Sequence, residues 1–128
     1  MYSSLCNKII RSPNHSGKRN HSIDTITIHT MAGNLTIESC GALFSNKARQ
    51  ASSNYGIDSD GRIAGYVDED NRSWCTSSSS NDNRAVTIEV ASKTNKEPFE
   101  ITEAAYQSLI SLLVDICKRN KIIFEVRL

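Results

Sequence analysis

The sequence predicts a single α/β domain in which a mixed central β-sheet is flanked by helices. Three observations predict it. Residues 25–29 and 85–91 alternate apolar with polar side chains and are rich in β-branched residues, the pattern of half-buried strands. Residues 36–48 and 102–120 instead carry apolar side chains at helical spacing. The two kinds of segment interleave along the chain, which is the order of an α/β arrangement.

Composition narrows the class. At 128 residues the chain makes one domain, long enough to bury a core without staples. Hydrophobic residues at 38% and charged ones at 23% suit a globular chain rather than a disordered one. With 15 basic and 14 acidic residues the net charge is +1, so no broad field favours nucleic acid or an anionic membrane. The basic clusters Lys18-Arg19 and Lys118-Arg119 are not interleaved with aromatic residues. No apolar run approaches the roughly 20 residues that span a bilayer, and the N-terminus has no apolar region of signal-peptide length. Synthesis in the cytoplasm is therefore expected. The four cysteines, Cys6, Cys40, Cys75 and Cys117, form no C-x-x-C, which excludes a zinc-finger or redox motif by spacing. Cys40 and Cys117 fall on apolar helical faces and are expected as buried thiols, without disulfides.

Residues 1–24 are polar, rich in turn formers from Ser12 to His21, and read as irregular. His15 and His21 lie in this segment, six apart, and make a weak metal pair. Next comes the strand at Thr25–His29, with Ile26 and Ile28 on one face and Thr27 and His29 on the other. Thr36 suits a helix N-cap, and Glu38 the positive first turn. Ile37, Cys40, Leu43, Phe44 and Ala48 line one face of that helix, which fades near residues 46–49. Asp60-Gly61 sits between two short strand-like runs and predicts a β-hairpin over residues 52–67.

Residues 68–84 read as a long polar loop holding the only tryptophan, Trp74. In the strand at residues 85–91, Val86, Ile88 and Val90 face one way, and Thr87 and Glu89 the other. Thr102 and Glu103 open the longest helix, whose stripe runs Ala105, Leu109, Leu112, Leu113, Ile116 and Cys117. Lys118 and Arg119 suit its negative end, and Asn120 a left-handed stop. Ile122, Phe124, Val126 and Leu128 alternate as a final strand would.

His29 stands where a strand gives way to a glycine-containing turn, a position where a scaffold holds a side chain rigidly. On its own it reads as a metal ligand, a general base or a hydrogen-bonded core residue. Glu89 reads as a surface residue or a site residue, and Trp74 as a groove residue or a core plug.

Four ordered motifs together resemble one family. They are the strand Ile26-Thr27-Ile28-His29-Thr30, and a hairpin of the sense Ser-x-(His/Asn)-Tyr-x-Ile-Asp-x-Asp-Gly-x-Ile at residues 52–63. The others are an Arg-x-Trp element at Arg72-Ser73-Trp74, and an asparagine-led strand (Ala/Ser)-(Val/Ile)-x-Ile-Glu within residues 81–89. In this order they resemble the zinc-dependent N-acetylmuramoyl-L-alanine amidases of phage endolysins and bacterial autolysins, especially clostridial ones, whose fold is shared by peptidoglycan recognition proteins. The resemblance covers residues from about 8 to 120.

It implies zinc as cofactor, His29 as its first ligand, and Glu89 as the acid–base residue of amide hydrolysis. It implies peptidoglycan as partner, cut between N-acetylmuramic acid and the L-alanine of the stem peptide, with Asn54 and Trp74 lining the groove. It also implies action at the cell wall after release through a holin pore. The family takes its second zinc histidine after the long helix and its third ligand, Cys or Asp, further on; here no histidine follows His29 and no cysteine follows Cys117. The expectation is therefore a domain lacking the C-terminal part of the family pattern. The alternative reading is a zinc-free peptidoglycan-binding remnant.

Overall fold

A computed structural model describes residues 1–123. In chain order its elements are β1 (Lys8–Ile9), β2 (His15–Lys18), β3 (Thr25–Thr30), α1 (Ile37–Ser45), β4 (Tyr55–Ile57), β5 (Ile63–Gly65), β6 (Asn71–Ser73), α2 (Ser79–Arg84), β7 (Ala85–Val90) and α3 (Glu103–Asn120). A five-stranded sheet runs in the order β1-β5-β4-β7-β3, and a small second sheet pairs β2 with β6. The large sheet is mixed: β4 and β5 are antiparallel, while β4, β7 and β3 run parallel to one another.

Helices cover the two faces of this sheet. On one, Tyr55, Ile57, Ile63, Val86, Ile88 and Val90 bury against Ala105, Leu109, Leu112, Leu113 and Ile116 of α3. This is the long helical stripe meeting the apolar side of the alternating strands. On the other, Ile37, Cys40 and Phe44 of α1 close over Ala64 and Tyr66. Gly56 is required there, because a Cβ at that position would stand 2.5 Å from the Tyr66 ring. The Tyr66 hydroxyl donates to the Ile37 carbonyl at 2.7 Å, tying the sheet to the start of α1.

Both predicted caps form. The Thr36 side chain accepts from the Ser39 N–H, and Thr102 from the Ala105 N–H, each at 3.0 Å. All four cysteines are free thiols, with Cys40 and Cys117 buried. The hairpin forms with Tyr55 opposite Gly65 and Ile57 opposite Ile63. Its connection is a five-residue loop in which Asp58 Oδ1 accepts from the N–H groups of Asp60 and Arg62, each at 3.1 Å, and Gly61 takes φ +82°.

Several expectations change. Residues 1–24 are not irregular throughout: β1 lies parallel to β5, and β2 antiparallel to β6. Strands of two and four residues carry no period of their own, and their partners lie more than fifty residues away. Residues 68–84 likewise hold β6 and α2, whose cap Ser78 accepts from the Asn81 N–H. Ala48 leaves the α1 stripe for an exposed 3-10 turn, Lys47–Arg49. The left-handed stop of α3 falls on Lys121, φ +55°, one residue beyond Asn120. Ile28 is 48% exposed; among the described residues β3 is the outermost strand of the sheet. The final strand expected over residues 122–128 falls mainly on residues outside those described.

Candidate functional site

The site is set by the pairing of β3 with β7. These strands run parallel in the register Thr27↔Thr87, Ile28↔Ile88, His29↔Glu89. Neighbours at one register position project to the same side of a sheet, so the isoleucines share the face toward α3 and His29 shares the opposite face with Glu89. The His29 Nδ1 and Glu89 Oε1 atoms are 3.9 Å apart. His29 is partly open to solvent, whereas the Glu89 side chain is only 15% exposed.

Cys75 completes the cluster from the loop after β6. Its thiol donates to Glu89 Oε1 at 3.7 Å. That loop is pinned by Asp82 of α2: Oδ2 accepts from the backbone N–H groups of Cys75 and Thr76, each at 3.2 Å, and Oδ1 accepts from the Thr76 hydroxyl at 2.7 Å. Asp82 is itself held in place, since the Arg19 guanidinium donates to the backbone carbonyls of Asp82 and Ala85. Half of the Lys18-Arg19 basic pair is thus a structural clamp.

Burial sets the protonation of these groups. It raises the Glu89 carboxyl from the ordinary 4.5 to about 7, with the Cys75 hydrogen bond pulling the other way. Burial first, and the neighbouring Glu89 and Asp82 charges second, push the Cys75 thiol far above its usual range. The bare cluster therefore holds a thiol beside a carboxyl that titrates near neutrality.

The resemblance implied a zinc ion, and the residues present fit one. His29 Nδ1, Cys75 Sγ and a Glu89 carboxylate oxygen all lie within 4.8 Å of one another. Imidazole, thiolate and carboxylate are the three donor types zinc takes. His15 and His21 are not in the cluster; the His15 ring accepts from the Gly17 N–H, and His21 lies beside the Ser22 carbonyl.

One cleft reaches the site through Glu89 and another borders Asp82, which anchors the Cys75 loop. One, of about 190 Å³, has Glu89 in its wall with Thr30, Met31, Leu43, Phe44 and Arg49. The other, of about 200 Å³, is lined by Gln50, Arg72, Trp74, Ser77, Ser79 and Asp82. Trp74 is half-buried and its indole N–H donates to the Ser16 hydroxyl at 2.7 Å, so it forms part of a wall rather than a core plug.

Asn54 does not line the groove. It is fully buried, and its amide donates to the carbonyls of Val67, Asp68 and Asn71. Its oxygen accepts from Arg19 and from the backbone and hydroxyl of Thr87. With all its polar capacity used inside the protein, Asn54 ties β4 to β7 and to the turn before β6. Sequence reasoning missed Cys75 and Asp82: Cys75 lies 46 residues from His29 and 14 from Glu89 (75 − 29 and 89 − 75), outside any local ligand spacing.

The comparisons with known proteins agree with this architecture. The structure matches a selenomethionine derivative of AmpD with a TM-score of 0.76 at 19% identity, covering 94% of this chain and 78% of that one. It matches the endolysin amidase LysCS from Clostridium intestinale with a TM-score of 0.70 at 18% identity, covering 94% of this chain and 80% of that one. The Drosophila peptidoglycan recognition protein SA is similar at 0.66 and 16% identity, covering 91% of this chain and 76% of that one. No curated protein sequence matches the chain. The fold is thus that of the amidases and peptidoglycan recognition proteins. The family model described as N-acetylmuramoyl-L-alanine amidase matches residues 19–125, and the chain belongs to that family. Among the described residues no helix is long and apolar enough to cross a membrane.

Proposed function

We propose that the chain hydrolyses peptidoglycan as an N-acetylmuramoyl-L-alanine amidase, cutting the amide between the lactyl group of N-acetylmuramic acid and the L-alanine of the stem peptide. The observation that carries this reading is the His29↔Glu89 register, which sets a mostly buried carboxyl in a cleft wall beside a solvent-accessible histidine. His29 is the residue that holds the cation. When bound, zinc supplies an acidified water and polarises a carbonyl.

Glu89 does the proton work. In its carboxylate form it accepts a proton from the attacking water, and it returns that proton to the amide nitrogen as the C–N bond breaks. Burial raises this carboxyl in the metal-free site, and a bound cation would draw it back down, so that Glu89 meets the attacking water as a carboxylate. Trp74 and Arg72 form the wall that receives the muramyl peptide: the ring offers a flat apolar face to the sugar, and the guanidinium suits a stem-peptide carboxylate. Action at the cell wall follows from that substrate.

Digestion of purified cell walls tests the reading. An amidase releases stem peptides with new L-alanine amino groups and creates no new reducing sugar ends. Glu89→Gln is expected to lower that release by about 10²–10⁴-fold. New reducing ends, or wall binding without any release in the presence of zinc, would sink the proposal; the second outcome would favour a binding module.

A further inference from the structure

Cys75 takes no part in the reaction above, yet it is placed as carefully as the residues that do. We propose that Cys75 is a metal ligand, forming with His29 and Glu89 a three-donor site for one thiophilic divalent cation of the zinc type. The inference rests on the reading of His29 as a metal-binding residue.

Geometry supports it first. A tetrahedral ion with bonds of about 2.0–2.3 Å holds its donors roughly 3.3–3.7 Å apart. Here Cys75 Sγ and Glu89 Oε1 are already 3.7 Å apart, and Glu89 Oε1 and His29 Nδ1 are 3.9 Å apart. All three donor atoms fall within 4.8 Å, so side-chain adjustment alone would close the set. Among the described residues no other group of three such donors converges in this way.

Rigidity supports it as well. His29 and Glu89 are locked at one register position of neighbouring strands, and β7 is paired on both sides. Cys75 is held through its own backbone N–H by buried Asp82. A centre whose ligands are fixed before binding loses little freedom when the ion arrives.

Donor chemistry selects the ion. A thiolate with an imidazole favours zinc and its soft relatives over magnesium or calcium, which need six or more oxygen ligands in most sites. On binding, the thiol S–H bond is exchanged for a sulfur–metal bond and the proton leaves to solvent. Thiolate and carboxylate together then neutralise the two positive charges inside a partly buried site. Glu89 would have to leave the ion to move the proton of the proposed hydrolysis, so it is a third donor of the resting site only, and His29 and Cys75 are the ligands on which the inference turns.

The test uses the full chain, stripped with a chelator and titrated with Co²⁺ as the optical probe and Zn²⁺ as competitor. Wild type is expected to bind one equivalent and to show sulfur-to-cobalt charge-transfer absorption in the near ultraviolet. Cys75→Ser should abolish that band and weaken zinc binding by at least about tenfold, while Cys6→Ser keeps it. A measurement on wild type alone guards against misfolding of the variant: zinc should protect Cys75 from alkylation, read by mass spectrometry. Absence of the band in wild type, its survival in Cys75→Ser, or alkylation of Cys75 unaffected by zinc would overturn the inference. A band without stem-peptide release leaves the metal site standing and removes the amidase reading. Release of stem peptides by a wild type that shows no band does the reverse.

Discussion

The two faces of β7 are made from alternate residues of one strand, and they are built on opposite terms. Val86, Ile88 and Val90 point into the α3 layer, each 2% exposed or less, with no polar atom to satisfy. Thr87 and Glu89 point the other way. Thr87 is absorbed into hydrogen bonds with Asn54 and Ser73, whereas Glu89, among the described residues, accepts from a thiol alone and keeps a carboxyl raised to about 7. One face gains stability from every residue it buries. The other holds a carboxyl where burial opposes its charge, which costs stability at neutral pH. A site of this kind persists because the opposite side of the same strand is well packed.

Breaking the apolar face should give the largest effect. Leu112 is fully buried against the strands, and Leu112→Ala is expected to lower unfolding stability by about 2–5 kcal/mol. Chemical denaturation checks this, and a loss well under 1 kcal/mol would mean that α3 is not the support assigned to it.

The polar face should respond with the opposite sign. The folded protein holds the Glu89 proton more tightly than the unfolded chain does, since the pKa rises from 4.5 to about 7. The stability from that preference is complete below pH 4.5 and is lost as pH rises through about 7. That span corresponds to about 3 kcal/mol. In chelator at about pH 8, Glu89→Gln should therefore be more stable than wild type by up to that amount, with the gap closing toward the ordinary carboxylate pKa. A wild type equal to the variant across the whole range would mean that the carboxyl is not held in an unfavourable state.

The smallest of these effects concerns the boundary between the faces. Asn54→Ala removes the amide that links Thr87 to the turn before β6, and should cost about 1–3 kcal/mol. Affinity of the folded variant for cell walls should be unchanged. A selective loss of wall binding at wild-type stability would restore Asn54 to the groove.

Local chemistry made much of this legible. The α3 stripe, the Thr36 and Thr102 caps and the alternation of β3 and β7 each depend on residues within a turn or two of one another, so they can be read without knowing the fold. The short strands β1, β2 and β6 could not be read this way, because each exists only through a partner far away in the chain. Asn54 shows the limit from the other side: its place before a strand could be read, but whether it faced a cleft or the interior depended on what closed over it.

By itself the sequence determined the family, the order of strands and helices, and the side of its strand on which each of His29 and Glu89 lies. Only the tertiary structure decided that β3 pairs in parallel with β7 so that His29 stands beside Glu89, and that the Asp82-anchored loop carries Cys75 to the same point. The reason is physical: side-chain alternation is a property of each strand, but register and loop path follow from burying all the strands at once.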